Sequence, residues 1–217
     1  MKKAILFGAS GFIGSYLLTE LLNNADYDQI TVVVRKNLDI NHPKLKMLIG
    51  DFYSLPSLKE NIVADDVFIT LGTTKKSTPN QDEYYQIDHD YPVLAAKIAK
   101  QNGAQSVFLL TSVGANSNST FFYIKTKGET ERDITALDFD HTAIFRPSML
   151  MGDRKENRPL EKIIQKVWAC INPILIGQLN IYKGIQGKEV AKAMNNAAKN
   201  PDEKVKIYSW EGMHNLL

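Results

Sequence analysis

The amino end of the chain carries a short apolar strand pattern that runs into three glycines and then into a helical pattern. The stretch reads Lys3-Ala-Ile-Leu-Phe-Gly-Ala-Ser-Gly-Phe-Ile-Gly14, and an amphipathic segment follows at 15–22. Gly8 permits a tight turn, Gly11 leaves room for the backbone to approach a phosphate, and Gly14 lets the helix pack closely on the strand. The helix N-terminus then directs free N–H groups and partial positive charge at an anion.

This glycine pattern predicts a dinucleotide pyrophosphate site at the first strand-to-helix turn. Glycines at the same spacing also occur in purely structural turns, and the flanking strand and helix patterns are what favour the nucleotide. The residues expected to contact the cofactor here are Gly8, Ser10, Gly11, Phe12, Ile13 and Gly14.

Composition places the chain among soluble globular proteins and excludes several functions. Its 217 residues suit one domain, with 44% hydrophobic and 23% charged residues. Lys and Arg number 26 against 24 Asp and Glu, so a nucleic-acid partner is not expected. No run has the length of a membrane-spanning helix. The first apolar run is too short for a secretory signal, and the single Cys170 allows no internal disulfide, so we expect a cytoplasmic protein.

Strand-like and helix-like segments alternate along the chain, which predicts βαβ units and a parallel sheet. Strands are predicted at 3–7, 30–34, 44–49, 67–71, 106–111, 142–145 and 205–208, and helices at 12–24, 54–60, 80–101, 121–137, 159–170 and 187–199. Pro92 predicts a kink or a fresh start in the long third helix. We therefore predict one doubly wound Rossmann domain with strand order 3-2-1-4-5-6, in which residues 147–217 form a small cap on the substrate side.

The residues after the second strand indicate which dinucleotide is bound. An acid at this position binds the ribose 2′-hydroxyl of NAD, whereas a cation suits the 2′-phosphate of NADP. This chain has Arg35 and Lys36 there, and the first acid is Asp39. We therefore predict NADP(H), with a solvated basic strand end as the alternative.

Two further turns lie where a cofactor would cross the sheet. After strand three, Asp51 is expected to accept a hydrogen bond from the adenine amino group and Phe52 to pack on the ring. After strand four, Leu71, Gly72 and Thr73 are expected to let the nucleotide approach the backbone. Each segment taken alone also fits an ordinary turn.

Three residues near strand five suggest carbonyl chemistry. Ser112 ends that strand, and Tyr123 and Lys127 are spaced four apart on the next helix, so that both lie on one helical face. A free tyrosine has a pKa of about 10, and lowering it to near neutrality requires about 4 kcal/mol. A cation about 4 Å away at an effective dielectric constant of about 20 supplies roughly that amount. Tyr123 is thus the predicted general acid/base, while Ser112 polarises the carbonyl.

Together these stretches resemble the short-chain dehydrogenase/reductase superfamily, and more narrowly its atypical subgroup related to the human Tat-interacting protein. The resemblance is carried by the segments 8–14, 71–74, 88–91, 112–127, 145–150 and 153–159. It implies an NADP(H)-binding fold with Ser112, Tyr123 and Lys127 as the catalytic set, and a turn against the nicotinamide formed by Arg146, Pro147, Ser148 and Met149.

One residue departs from the pattern of these relatives. Many of them carry an Asn on the fourth helix that anchors a proton relay to the lysine, and the matching residue here is Asp88. A carboxylate at this position can pair with Lys127 and weaken its hold on Tyr123, which puts the relay in doubt.

Three functions follow from these observations. The leading hypothesis is an NADPH-dependent oxidoreductase that acts on a small carbonyl or alcohol and possesses no metal site, because the four histidines do not cluster. The second is a non-catalytic NADPH-binding regulator that acts through protein partners. A nucleotide-sugar epimerase or dehydratase is disfavoured because the C-terminal tail is short. Paired helices of such folds commonly form homodimers, so a homodimer is also expected.

Overall fold

A single parallel sheet of seven strands organises the computed structural model, which describes residues 1–152, 175, 177–201 and 203–217. Counted along the chain, its strands lie in the order third, second, first, fourth, fifth, sixth and ninth, and every neighbouring pair is parallel. The predicted Rossmann order is confirmed, and the strand predicted at 205–208 lies beside the sixth. The strands of this sheet are β1 (Lys2–Phe7), β2 (Tyr27–Val34), β3 (Leu45–Ile49), β4 (Asp66–Ile69), β5 (Ser106–Leu110), β6 (His141–Phe145) and β9 (Val205–Tyr208), and β7 (Leu150–Met151) pairs separately with β8 (Ile185–Gln186).

Both faces of the central strands are covered, which is why the strands read as continuous apolar runs. On β1, Leu6 joins the core on one face and Ile5 the core on the other, and neither side chain is exposed. The helices are α1 (Phe12–Asn23), α2 (Gln81–Tyr85), α3 (Tyr91–Gln101), α4 (Phe122–Thr135), α5 (Gly187–Ala197) and α6 (Trp210–His214), with a 3₁₀ helix at Leu55–Asn61 and another at Gly177–Tyr182.

The first face of the sheet is covered by α1 and α5. Apolar residues of both helices belong to the same core cluster as Leu6 and Phe108. A buried amide pair links them, because Asn24 Nδ2 donates to Asn195 Oδ1 at 2.8 Å. Helix α5 covers the main sheet and β9 extends it, whereas β7 and β8 form a separate two-stranded sheet. A substrate-side cap formed by residues 147–217 stays a prediction. The helix predicted at 159–170, together with Cys170, lies outside the described residues.

The long helical segment predicted at 80–101 contains a π-turn at Gln86–Asp90 between α2 and α3. Pro92 lies in the first turn of α3 and has no N–H to offer the carbonyl of Asp88 four residues before it. That carbonyl lies 2.8 Å from Thr130 Oγ1 on α4, whose one hydroxyl proton it shares with the Thr126 carbonyl, also at 2.8 Å. The predicted break near Pro92 is thus a π-turn, and the carbonyl of Asp88 attaches this turn to α4.

No helix in the described ranges is both long and apolar enough to cross a membrane.

Replacing Thr130 by Val tests this attachment, because it keeps the side-chain shape and removes the donor. We expect Thr130→Val to lower the free energy of unfolding by about 1–2 kcal/mol, measured by urea denaturation. Thr19→Val is the matched control, since Thr19 makes a comparable bond to Ser15 on the exposed face of α1. Equal losses in the two variants would contradict a special role for the Thr130 bond.

Candidate functional site

The turn between β1 and α1 has no room for side chains at two of its glycines. Gly8 has a φ of +95°, and a Cβ there would lie 2.7 Å from Thr70 Oγ1. At Gly14 a Cβ would lie only 2.0 Å from the Gly8 carbonyl oxygen. Gly11 donates its N–H to that same oxygen at 2.9 Å and caps α1. These contacts bring the N-terminus of α1 against the carboxyl end of β1.

A cleft of about 590 Å³ opens in front of this turn. It lies between the glycine turn, the loops after β4 and β5, the first turns of α4, and Leu150 at the start of β7. Predicted site residues that line it are Ser10, Gly11, Phe12, Ile13, Leu71, Gly72, Thr73, Tyr123 and Lys127. Among the lining residues none carries a carboxylate, and the first turn of α1 holds no acid. The N-terminus of α1 opens onto this cleft, and its free N–H groups suit a phosphorylated, anionic ligand.

Several lining residues were missed by the sequence reasoning. They are Ser15, Tyr16, Thr70, Ser77, Leu110, Thr111 and Leu150, whereas Thr74 belongs to the predicted stretch 71–74. Most of them directly adjoin predicted residues at strand ends or in the first turn of α1, and that adjacency was the available signal. Leu150 adjoins the predicted Met149, whereas Ser77 lies four residues beyond Thr73 and gave no such signal.

Helix α4 brings Tyr123 and Lys127 to one wall of the cleft. The phenol side chain is 45% exposed, whereas Lys127 is buried. Lys127 Nζ lies 2.7 Å from Asp88 Oδ1, and the other carboxylate oxygen of Asp88 accepts the N–H of Thr73 at 2.7 Å. The lysine thus has a buried counterion, as the Asp88 substitution led us to expect.

A second tyrosine lies beside this pair. Tyr84 on α2 is buried, and its ring meets Tyr123 edge-on with the centroids 6.5 Å apart. Its hydroxyl donates to the Thr73 carbonyl at 3.4 Å. Burial, together with the nearby Asp88 carboxylate, raises the pKa of Tyr84 well above its ordinary value, so this phenol stays protonated.

Ser112 lies behind the cleft rather than among the residues that line it, where Thr111 stands instead. Its side chain is buried, and within the described residues its Oγ has no hydrogen-bond partner. Thr111 Oγ1, by contrast, donates to Glu131 Oε1 at 2.6 Å. Of the two neighbouring hydroxyls, that of Ser112 is therefore the one left available.

The turn at 146–149 is held by its own side chains and does not itself line the cleft. Arg146 forms a two-pronged ion pair with Glu131 on α4, with Nε to Oε1 at 2.9 Å. Ser148 Oγ donates to the Tyr182 carbonyl at 2.7 Å. Pro147 accepts the N–H of Val113 through its carbonyl at 2.9 Å, and Met149 similarly accepts from β8. The turn supports the β5 loop and leads to Leu150.

The predicted adenosine contacts follow β2 and β3 at the same sheet edge as the glycine turn. Arg35 and Lys36 are exposed, and neither forms an ion pair with another described residue. Asp51 forms a local turn in which its carboxylate accepts the N–H of Ser54 at 2.9 Å. The hydrogen bonds from Ser54 lower the pKa of Asp51. The ring of Phe52 is stacked on Tyr91, so this face is already occupied.

Among the described residues, no group of three or more His, Cys, Asp or Glu side chains could hold a metal ion.

The sheet order, the glycine turn and the cleft define a Rossmann domain for a dinucleotide. The family model described as NAD(P)H-binding matches residues 8–166 of this chain. The chain therefore belongs to the NAD(P)H-binding family.

Named relatives agree with the resemblance drawn from the motifs. Protein FMP52, mitochondrial, of Candida glabrata is 35% identical over 207 residues, which is 94% of this chain and 88% of that protein. Protein HTATIP2 of Rattus norvegicus is 33% identical over 174 residues, 78% of this chain and 72% of that protein. The solved structure of MoeE5 in complex with UDP-glucose and NAD superposes with a TM-score of 0.70 at 18% identity, over 97% of this chain and 79% of that one. This structural likeness confirms the fold.

The same comparison corrects the localisation prediction. The relatives from Candida glabrata, Candida albicans and Kluyveromyces lactis are each named as mitochondrial proteins, which contradicts the expected cytoplasmic location. The prediction was wrong because a lone cysteine and a short apolar run do not distinguish between compartments that keep thiols reduced.

Adding one methyl group at Gly14 tests the close approach of α1. Because the new Cβ would meet backbone rather than a movable side chain, we expect Gly14→Ala to lower the free energy of unfolding by about 3 kcal/mol, measured by urea denaturation. Gly212→Ala is the control, since its nearest neighbour is a Tyr208 side-chain carbon at 3.3 Å. A Gly14→Ala protein as stable as the control would refute the contact.

Proposed function

We propose that this protein is an NADP(H)-dependent oxidoreductase of the short-chain dehydrogenase type, acting on a small carbonyl or alcohol. The observation that carries the proposal is that one cleft joins the glycine turn to Tyr123 and Lys127. Phosphate-binding backbone and an acid/base side chain thus face the same space. A bound nicotinamide would supply or accept the hydride there.

The residues of the cleft suit a dinucleotide. The N-terminus of α1 and the turn at Gly11 would bind the pyrophosphate through backbone N–H groups. Gly72, in the loop after β4, leaves the space next to Lys127 open, because a Cβ at this position would lie 3.4 Å from Lys127 Nζ. Lys127 would hold the ribose hydroxyls of the nicotinamide half, close to Tyr123.

Tyr123 would transfer the proton that accompanies the hydride. In reduction its hydroxyl donates a proton to the developing alkoxide oxygen, and in oxidation the phenolate removes the proton from the alcohol. The nearby Lys127 cation stabilises the phenolate. The predicted donation from Ser112 to the substrate oxygen requires its free hydroxyl to turn toward the cleft, because this side chain is not among those that line it.

Replacing Tyr123 by Phe tests the acid/base role. With a panel of aldehydes and ketones, we expect Tyr123→Phe to lower the rate of NADPH oxidation by about 100-fold or more while NADPH still binds. The assay is the loss of NADPH absorbance, and binding is measured by fluorescence. Tyr85→Phe is the control, because that phenol faces Glu129 outside the cleft. If wild type and Tyr123→Phe both bind NADPH tightly but show the same negligible rate, the result would favour a non-catalytic regulator over an enzyme.

We further infer that the cofactor is NADP(H) rather than NAD(H), because Arg35 and Lys36 stand exposed after β2. We expect wild type to prefer NADPH, and Arg35→Ala to weaken NADPH binding by about 10- to 100-fold with little effect on NADH. Titrations followed by cofactor fluorescence provide the measurement. Lys46→Ala, which removes an exposed cation near the start of β3, is the control. An equal affinity of wild type for the two cofactors would overturn the inference.

A further inference from the structure

The chemistry of its neighbours explains why residue 88 is an acid. Asp88 is 1% exposed. One of its carboxylate oxygens faces the ammonium of Lys127, and the other accepts the N–H of Thr73, both at 2.7 Å. Both neighbours are donors without any acceptor capacity. An asparagine in the same orientation would turn its NH₂ toward one of them, whereas a carboxylate presents an oxygen to each.

This arrangement links the two walls of the cleft. Lys127 belongs to α4, whereas Thr73 belongs to the loop after β4, and residues from both segments line the space. The backbone of Asp88 is attached to α4 as well, through its carbonyl and Thr130. The position of the carboxylate is therefore fixed from both sides.

The charged and titratable groups near the Tyr123 phenol come from several elements. Lys127 comes from α4, Asp88 from the π-turn and Tyr84 from α2. Lys75 and Lys76 lie in the loop whose neighbours Thr74 and Ser77 line the cleft. His89, Asp90 and Asp133 form a separate cluster of ion pairs, with the imidazole between the two carboxylates.

We propose that Asp88 is a positioning residue whose negative charge moderates the action of Lys127 on the Tyr123 phenol, while its second oxygen holds the Thr73 loop. Its consequence for turnover rests on the proposed function, but the electrostatic coupling itself does not. A lysine with a counterion at 2.7 Å presents a weaker field to its surroundings than a lysine without one. Lys127 thus remains in place as a cation for the cofactor ribose, while Asp88 partly compensates the positive potential that it exerts at the Tyr123 phenol.

The sign of the effect follows from the charges. Removing the carboxylate leaves the Lys127 charge uncompensated, which favours the phenolate of Tyr123 and lets it form at lower pH. At an effective dielectric constant of about 20, removing a unit charge that lies about 6 to 10 Å away corresponds to a shift of about one to two pH units.

The test is a titration of the Tyr123 phenol in the protein without cofactor. The chain has nine tyrosines, so the protein is labelled with ¹³C at tyrosine Cζ, and the Tyr123 signal is assigned by its loss in Tyr123→Phe. We expect the titration midpoint of Asp88→Asn to lie about one to two pH units below that of wild type. Asp88→Glu, which restores the charge, should return toward the wild-type midpoint. Should Asp88→Asn fail to fold, Asp88→Ser removes the charge and should move the midpoint in the same direction.

The matched control is Asp90→Asn, which removes a carboxylate from the same π-turn but one paired with His89, and its midpoint should equal that of wild type. A midpoint that stays in place or rises on removal of the Asp88 charge, even with lower stability, would show that Asp88 is only structural and overturn the proposal. NADPH binding is measured on the same samples by fluorescence. A wild type that binds no NADPH would refute the proposed function without affecting the titration result.

Discussion

The cleft depends on how closely α1 approaches the end of β1. At Gly14 a Cβ would lie 2.0 Å from the Gly8 carbonyl oxygen. Any residue other than glycine at this position would therefore prevent the N-terminus of α1 from approaching β1 this closely. Gly8 in turn lies against Thr70 at the end of β4. The two glycines therefore set the depth of the crevice between β1 and β4, where ligands bind in sheets of this topology.

A second constraint comes from Pro92, which acts on the site through the backbone. It removes a donor from the helix, and the chain responds with a π-turn whose Asp88 carbonyl is taken up by Thr130. Irregular turns of this kind often lie at functional sites. Here the turn places the Asp88 carboxylate between Lys127 and Thr73. The π-turn thus supplies the counterion of Lys127, a residue in the wall of the cleft.

Much of the fold was predictable because the signals are local. Buried parallel strands read as short apolar runs, so strands such as 3–7 and 106–111 were identified within a residue or two, and their alternation with helices fixed the sheet order. The turn glycines and the Tyr123–Lys127 spacing are local as well. The partners of Arg146 and Phe52 were not predictable, because Glu131 and Tyr91 come from distant segments. Strand ends identified the neighbourhood of the site, and tertiary packing decided which side chains line it.

The acid at position 88 shows why a motif should be read together with its neighbours. Taken alone, a carboxylate where many relatives have an asparagine suggests a weakened relay. In the structure a lysine ammonium faces one oxygen of the side chain and a backbone N–H donates to the other, so an amide in the same orientation would turn its NH₂ toward one of these donors. A buried lysine without a counterion would also carry a desolvation penalty of several kcal/mol. The acid therefore stabilises the lysine in its buried position, and the strength of the lysine's field at the phenol follows from that same requirement.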